Sequence, residues 1–331
     1  MTSPTTSTGA KQTQGDDWRV RQAGYNQTGV TYSLGNYGSR LGRAYLKSRT
    51  ELLTREVDAH FGATGERDLL EIGCGTGLTL ELLGQNPRWR LHGMDFSSTM
   101  LAEVAQRARG ARHPVPLCLG DAIELPFADE SFDVIYATRF IHQFPHADKL
   151  RIAAEIERVL RPGGLVALEF YARALNHVRY FTTQRGKYPT RELYFLHYPS
   201  RDEVREIVGP EHSEQALRYV GDRLINRVLG YRAYSLVQAQ MTRVPGARLL
   251  TSERWIFYTP QRRGGPPAAT ARAPADPFAK LRCPTCRGPL THAAARALLT
   301  CAPCRRGYAI QNGVPNLLSH EALELAPAFA P

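Results

Sequence analysis

No stretch of this chain approaches the ~18 consecutive apolar residues that a membrane-spanning helix needs, and the opening MTSPTTSTGAKQTQGDD lacks the apolar core of a secretion signal. Both absences predict a cytoplasmic protein. Internal repeats are lacking as well, which excludes solenoid and propeller arrays. Acidic residues are outnumbered, 31 Asp and Glu against 42 Lys and Arg, for a formal net charge of +11. Such a balance permits long-range attraction to nucleic acid or acidic lipid and says nothing about the fold. Cysteine is scarce, six in 331 residues, too few for a disulfide scaffold. Cys74 and Cys118 stand alone in apolar surroundings, whereas Cys283, Cys286, Cys301 and Cys304 form two tight pairs. In a reducing compartment such pairs point to metal.

What is present is an ordinary globular composition, 43% hydrophobic and 22% charged, long enough for one large domain and a smaller one. Residues 1–16 are Ser, Thr, Gly and Gln rich and read as a disordered tail. A helical stretch, SRTELLTREVDAHF, leads into alternation: DLLEIG as a strand, LTLELLGQN as a helix, RLHGMDF as a strand, SSTMLAEVAQRAR as a helix. VPLCLGDA and SFDVIYA continue as strands, KLRIAAEIERVL as a helix and GGLVALEFYA as a strand. Strands alternating with helices predict a doubly wound, mostly parallel α/β sheet over residues 17–258, with 172–235 as a substrate-side insert. Within that insert SRDEVREIV carries an N-cap Ser with Glu three positions on. SLVQAQMTR and SERWIFYTP read as a closing antiparallel pair. Residues 259–280, rich in Pro, Ala, Gly and Arg, form a linker to a cysteine-paired module at 281–319, followed by a tail at 320–331.

Gly73, Gly75 and Gly77 lie where strand LLEI gives way to helix LTLELL. Residues without side chains let the backbone turn sharply and let a ligand lie against it, and the helix start offers unpaired N–H groups. The spacing G-x-G-x-G departs from the dinucleotide fingerprint and argues against NAD. Asp95 ends the second strand, about twenty residues on, where a carboxylate reaches ribose hydroxyls. Gly120 and Asp121 end the third strand at the same edge. Helix capping is the plainer role for either aspartate.

EIGCGTG, GMDFSSTML, GDAIELPFADESFDVIYATRFIHQF and RVLRPGG together resemble a class I S-adenosylmethionine-dependent methyltransferase, closest to the group with the ubiquinone and menaquinone biosynthesis enzymes. The likeness covers about residues 66 to 170 and implies a seven-stranded Rossmann-like sheet. It implies that Glu71, Gly73, Cys74, Gly75 and Gly77 surround the methionine portion of the cofactor. Asp95 with Phe96 would take the ribose, Met100 would lie near the adenosine, and Asp121 with Ala122 would bind the adenine edge. Thr138 to His142 would floor the methyl-transfer site.

Methyl transfer from a sulfonium is an in-line displacement whose leaving group is already activated, so alignment is the main requirement. A base matters only where the acceptor loses a proton early. His142, just after the fourth strand, is the candidate catalytic residue, with Tyr136, Arg139 and Phe140 in the same segment. Arg139 is placed to hold an acceptor carboxylate or phosphate. Tyr25, Tyr32 and Tyr37 are candidate lid residues whose rings would attract a sulfonium; core packing is the simpler account of them. Cys74 reads as a small buried thiol and Cys118 as core.

CPTC and CAPC give C-x2-C-x14-C-x2-C, the spacing of a tetrahedral four-thiolate zinc site. A pair of independent redox motifs is the alternative. Arg287, Arg305 and Arg306 are placed to offset the negative cluster. The module is similar to the small zinc-ribbon proteins that activate tRNA and protein methyltransferases, over about residues 280 to 318. The expected acceptor is the O, N or C atom of a small-molecule metabolite. The alternative is tRNA or rRNA contacted through the basic ribbon; it is not favoured, since no aromatic-and-basic RNA module is present.

Overall fold

A computed structural model of the protein describes residues 22, 40–107, 109, 112–171, 199–219, 251–260 and 276–325. The tail at 1–16, Tyr25, Tyr32 and Tyr37, the segment SLVQAQMTR and most of the insert and linker lie outside the described residues. No helix among the described residues is long and apolar enough to cross a membrane.

Helix α1 (Arg40–Phe61) buries Tyr45, Arg49, Leu53 and Val57, one residue per four, which is the single stripe a surface helix turns to the core. An arginine inside that stripe is the first departure from simple amphipathicity. Strand β1 (Arg67–Ile72) follows, then α2 (Leu78–Leu83), β2 (Trp89–Asp95), α3 (Ser98–Arg107), β3 (Leu117–Leu119) and β4 (Phe132–Ala137). Next come α4 (His146–Val159), β5 (Leu160–Tyr171), α5 (Arg201–Val208), β6 (Ser213–Tyr219) and β7 (Thr251–Tyr258). The seven strands form one sheet in the order β3-β2-β1-β4-β5-β7-β6, mostly parallel as the sequence pattern implies and seven-stranded as the family resemblance implies. Pairs from β3 to β5 are parallel, and β7 runs antiparallel to both β5 and β6. Central strands read as continuous apolar runs because both faces are covered.

RPGG, counted within β5, loops out between Leu160, opposite Phe132, and Leu165, opposite Val134, with Gly163 at φ of +72°. One detail departs from the sequence reading. The described antiparallel partner of β7, besides β5, is β6, whose residues fall within the range 172–235 expected to be an insert. A short SEQALRY stretch after the α5 helix carries little strand signal of its own, and pairing to β7 decides it. The capping box at Ser200 forms as expected: Glu203 N–H donates to Ser200 Oγ at 3.2 Å and Ser200 N–H to Glu203 Oε2 at 2.6 Å.

The cysteine module is built from short antiparallel strands: β8 (Thr291–Ala293), β9 (Leu298–Cys301), β10 (Arg306–Gln311), β11 (Val314–Pro315) and β12 (Leu323–Glu324). It is docked on the large sheet, not suspended from the linker. Leu317 N–H donates to Leu119 O at 2.7 Å and Asn316 pairs in parallel with Leu119, so the module adds chain to the β3 edge. Arg282 N–H donates to Pro126 O and Ala128 N–H to Lys280 O, both at 2.9 Å, around a Phe127–Leu281 bridge. Leu281, Leu299, Tyr308 and Leu317 share one buried cluster with Leu125, Phe127 and Ile156. Burying a side chain of that size contributes roughly 1.5–3 kcal/mol, so the module and the domain stabilise each other. Lys280 Nζ reaches the buried Asp68 at 3.2 Å. Burial works to raise the Asp68 pKa, but hydrogen bonds from His92 and Arg90 and the Lys280 charge outweigh it and hold the group well below the usual carboxylate range.

Candidate active site

Strand order reverses between β2 and β4 on either side of β1, the crevice where open α/β sheets take ligands at their carboxyl ends. The turn after β1 is stitched to the end of β2: Cys74 N–H donates to Met94 O at 3.0 Å and Gly75 N–H to Asp95 Oδ2 at 2.8 Å. Gly75 has φ of +53°, and apart from its two chain neighbours no atom of the described residues lies within 4 Å of where its Cβ would stand. Its flank is open for a ligand to approach the backbone. Gly77 instead faces Val104, with 2.7 Å to a built Cβ, and serves helix packing.

Asp95 is buried, and its Oδ1 accepts from Ser97 N–H at 2.9 Å. Burial pushes its pKa up to about 6 against the N–H groups of Gly75, Ser97 and Phe96, which favour the charged form. The carboxylate thus does the capping work and retains lone pairs on both oxygens for further donors. Ser97 Oγ is the acceptor for Met100 N–H at 3.3 Å, filling the other capping position. Gly120 N–H donates to Asp95 O at 3.0 Å, bringing the end of β3 alongside. Asp121 is half-buried and accepts from Ile123 N–H at 2.9 Å, an Asx-turn. Gly75, Asp95, Gly120 and Asp121 therefore meet at one edge. Met100 and Ala122 are buried among core side chains, while Phe96 is half-buried and its carbonyl accepts from Gln22 Nε2 at 2.7 Å.

Toward β4 the crevice is lined by buried polar groups. Glu71 is buried and accepts from Tyr136 Oη at 3.3 Å and Thr138 Oγ1 at 3.2 Å. Its pKa rises to about 8 because burial outweighs those hydrogen bonds and the Arg49 charge. Burial also holds the Cys74 thiol well above its ordinary pKa, with Asp95 and Glu71 adding to the effect, which removes it as a nucleophile. His142 sits in a single 3-10 turn, Ile141–Gln143, and is buried. Burial, then the charges of Arg139, Lys149 and Arg49, push its pKa well below the ordinary value, so the imidazole is neutral near pH 7.

Four buried polar residues here escape a motif-based reading of the sequence: Arg49, Glu169, Glu253 and Lys149. Arg49 Nη2 pairs with Glu169 and lies 3.8 Å from Glu253 Oε2; Tyr45 Oη donates to Glu169 Oε1 at 3.1 Å. Burial raises Glu253 to about 8 and lowers Lys149 to about 8, Glu203 opposing the latter. Their signal in the sequence is a charge at a core-facing position, such as Arg49 between Tyr45 and Leu53.

The four paired cysteines converge far from this crevice in sequence. Their sulfur atoms all lie within 4.8 Å of one another, with Cys286–Cys301 at 3.5 Å and Cys283–Cys304 at 3.9 Å. Tetrahedral zinc at 2.3 Å from each sulfur would set them about 3.8 Å apart, so the donor set fits a zinc ion with no position left open. Of the neighbouring arginines, Arg287 Nη2 donates to Glu155 Oε1 at 2.9 Å and Arg306 Nη1 to Ser319 O at 2.7 Å.

Residues 70–168 match the family model described as "Methyltransferase domain". Among curated proteins the chain is 31% identical to a demethylmenaquinone methyltransferase of Geobacillus stearothermophilus, over 47% of this chain and 60% of that one. It is 36% identical to O-methyltransferase resE of Aspergillus sclerotiorum, over 36% of this chain and 45% of that one. The chain spans about half the length of the curated relatives it matches. Magnesium protoporphyrin IX methyltransferase of Synechocystis PCC 6803, solved with bound SAH, shares the fold at TM-score 0.50 and 15% identity, over 73% of this chain and 98% of that one. Residues 70–168 thus carry the sequence pattern of a methyltransferase domain.

Proposed function

We propose that this protein binds S-adenosylmethionine and transfers its methyl group to an oxygen, nitrogen or carbon atom of a small-molecule metabolite. The observation that carries this reading is the hydrogen bond from Gly75 N–H to Asp95 Oδ2, which fixes a bare, open turn beside a buried carboxylate at the switch point of the sheet. The cofactor supplies a methyl group on a sulfonium, already activated for displacement. Glu71, Cys74 and Gly75 would line the methionine end, with Gly73 and Gly77 shaping the turn from behind. Asp95 and Phe96 would hold the ribose, and Asp121 with Ala122 the adenine, while Met100 would support that side from the core. Thr138 and His142 would face the acceptor. The domain division at 17–258 and 281–319 belongs to the same proposal.

His142 is neutral and so accepts a hydrogen bond from an acceptor hydroxyl, which orients it for in-line attack. Three nearby cations oppose an imidazolium, so alignment is a better role for this residue than full proton removal. The cysteine cluster would hold structural zinc. An RNA acceptor is disfavoured because the sequence carries no aromatic-and-basic RNA module.

Calorimetry with S-adenosylhomocysteine tests the cofactor; an absence of heat at millimolar ligand would end this reading. Incubating the protein and methyl-tritiated cofactor with small-molecule extracts, and separately with tRNA and rRNA across a salt series, tests the acceptor. Label in RNA with salt-sensitive binding would displace the metabolite.

A further inference from the structure

The buried ion pair between α1 and β5 has no place in the chemistry above, yet it is tied to the loop that carries that chemistry. Glu169 near the end of β5 is fully buried. One of its oxygens, Oε1, receives Arg49 Nη2 and Tyr45 Oη, both from the core-facing stripe of α1. The other, Oε2, receives the backbone N–H of Arg139 at 2.9 Å. Arg139 has φ of +50°, in the left-handed region that a branched-chain or long side chain rarely enters. Such a residue persists only where its surroundings fix it. From it the chain makes one turn, with Gln143 Nε2 donating back to Arg139 O at 2.9 Å and Gln143 N–H to Phe140 O at 3.0 Å. That turn delivers Phe140 onto Gly73 and sets His142 in the buried wall; Thr138, just before it, bonds Glu71.

We propose that Glu169 is a positioning residue for methyl transfer: clamped from α1 by Arg49 and Tyr45, its carboxylate holds the strained Arg139 backbone and so fixes residues 138–144 against the cofactor turn. The inference rests on the methyltransferase reading. It touches no reacting atom and acts through the loop. Helix α1 is thereby coupled to the methyl site through a single side chain, and the Tyr45 ring, 4.4 Å from the Arg49 guanidinium carbon, keeps the clamp itself in place.

A plain structural ion pair would make a different prediction. Removing one partner of a buried pair leaves an uncompensated charge, whereas replacing both with neutral groups restores stability. The test compares full-length wild type, Glu169→Gln, Glu169→Gln with Arg49→Met, and Tyr45→Phe. It uses urea unfolding, amide exchange of peptides covering residues 138–144, and calorimetry with S-adenosylhomocysteine. Glu169→Gln should lose stability and speed loop exchange about tenfold or more, since the charge-assisted bond to the Arg139 N–H is reduced at best to a neutral one. The double variant should regain stability while its loop still exchanges fast. Tyr45→Phe should raise loop exchange about two- to fivefold.

Recovery of both stability and loop protection in the double variant would reduce Glu169 to a structural ion. Loop exchange within twofold of wild type in every variant would also overturn the proposal. If Glu169→Gln does not fold, the double variant and Tyr45→Phe decide. Failure of the wild type to bind S-adenosylhomocysteine would sink the cofactor assignment on its own, a result separate from the exchange rates.

Discussion

A Cβ built on Gly73 would lie 2.3 Å from Cδ2 of Phe140, so the loop after β4 rests directly on the turn after β1. The two neighbours at the switch point of the sheet are in van der Waals contact through an aromatic ring and a bare backbone. Gly73 also has φ of +67°, a conformation that a side chain strains. Gly73→Ala should therefore weaken S-adenosylhomocysteine binding at least about tenfold and cost roughly 1–3 kcal/mol of stability. Adding Phe140→Ala should recover part of the affinity, because the overlap goes while the backbone strain stays. Calorimetry and urea unfolding of the single and double variants measure both.

Asp95 is occupied by two backbone N–H groups, at 2.8 and 2.9 Å. In Asp95→Asn one oxygen becomes an amide that faces an N–H donor, a conflict worth about 1–3 kcal/mol. Stability and cofactor affinity should fall together. Because burial raises the Asp95 pKa to about 6, the wild type should lose S-adenosylhomocysteine affinity as pH drops from 7.5 to 5. That pH dependence should vanish in Asp95→Asn. A pH titration by calorimetry that leaves wild-type affinity flat would remove Asp95 from the ribose.

Glu253 carries a pKa raised to about 8 by burial, against an ordinary 4.5. A carboxyl group whose folded pKa lies above its unfolded value binds its proton more tightly in the native state. Its contribution to stability is therefore full below about pH 4.5 and is lost as pH rises toward 8. Glu253→Gln should leave stability at pH 5 nearly unchanged and raise it at pH 8.5 by on the order of 2 kcal/mol. Urea midpoints across that range, with a parallel slope in both proteins, would refute the assignment.

Four sulfurs spaced for tetrahedral zinc predict about one zinc per chain by elemental analysis. Cys283→Ser or a strong chelator should release the metal and open the pairing of Leu317 with Leu119. Since Arg282 and Lys280 also bond the segment just past Asp121, at Pro126 and Ala128, cofactor affinity should fall severalfold on metal removal. Amide exchange of residues 117–128 and calorimetry on the metal-free protein report the two effects. Metal-free protein with unaltered exchange there would show the module to be an independent unit.

The alternating pattern, the capping box at Ser200 and the two cysteine pairs were legible in the sequence because each is a local signal: a periodicity, a four-residue motif, a fixed spacing. The docking of the cysteine module was not. It depends on a hydrogen bond between residues 119 and 317, and nothing in LCLGDA or GVPNLL specifies a partner nearly two hundred positions away. The same applies to Glu169, which sits in LVALEFYA as one polar letter among apolar ones; its meaning comes from Arg49 and Arg139, on other elements. The strand at SEQALRY was not legible for a related reason, since it becomes a strand through β7.

The β3 edge is covered by residues nearly two hundred positions further along the chain. An uncovered edge strand offers a row of free amides and carbonyls to any neighbouring polypeptide. Until the four-cysteine module has folded, the β3 edge therefore remains open to mispairing with other copies.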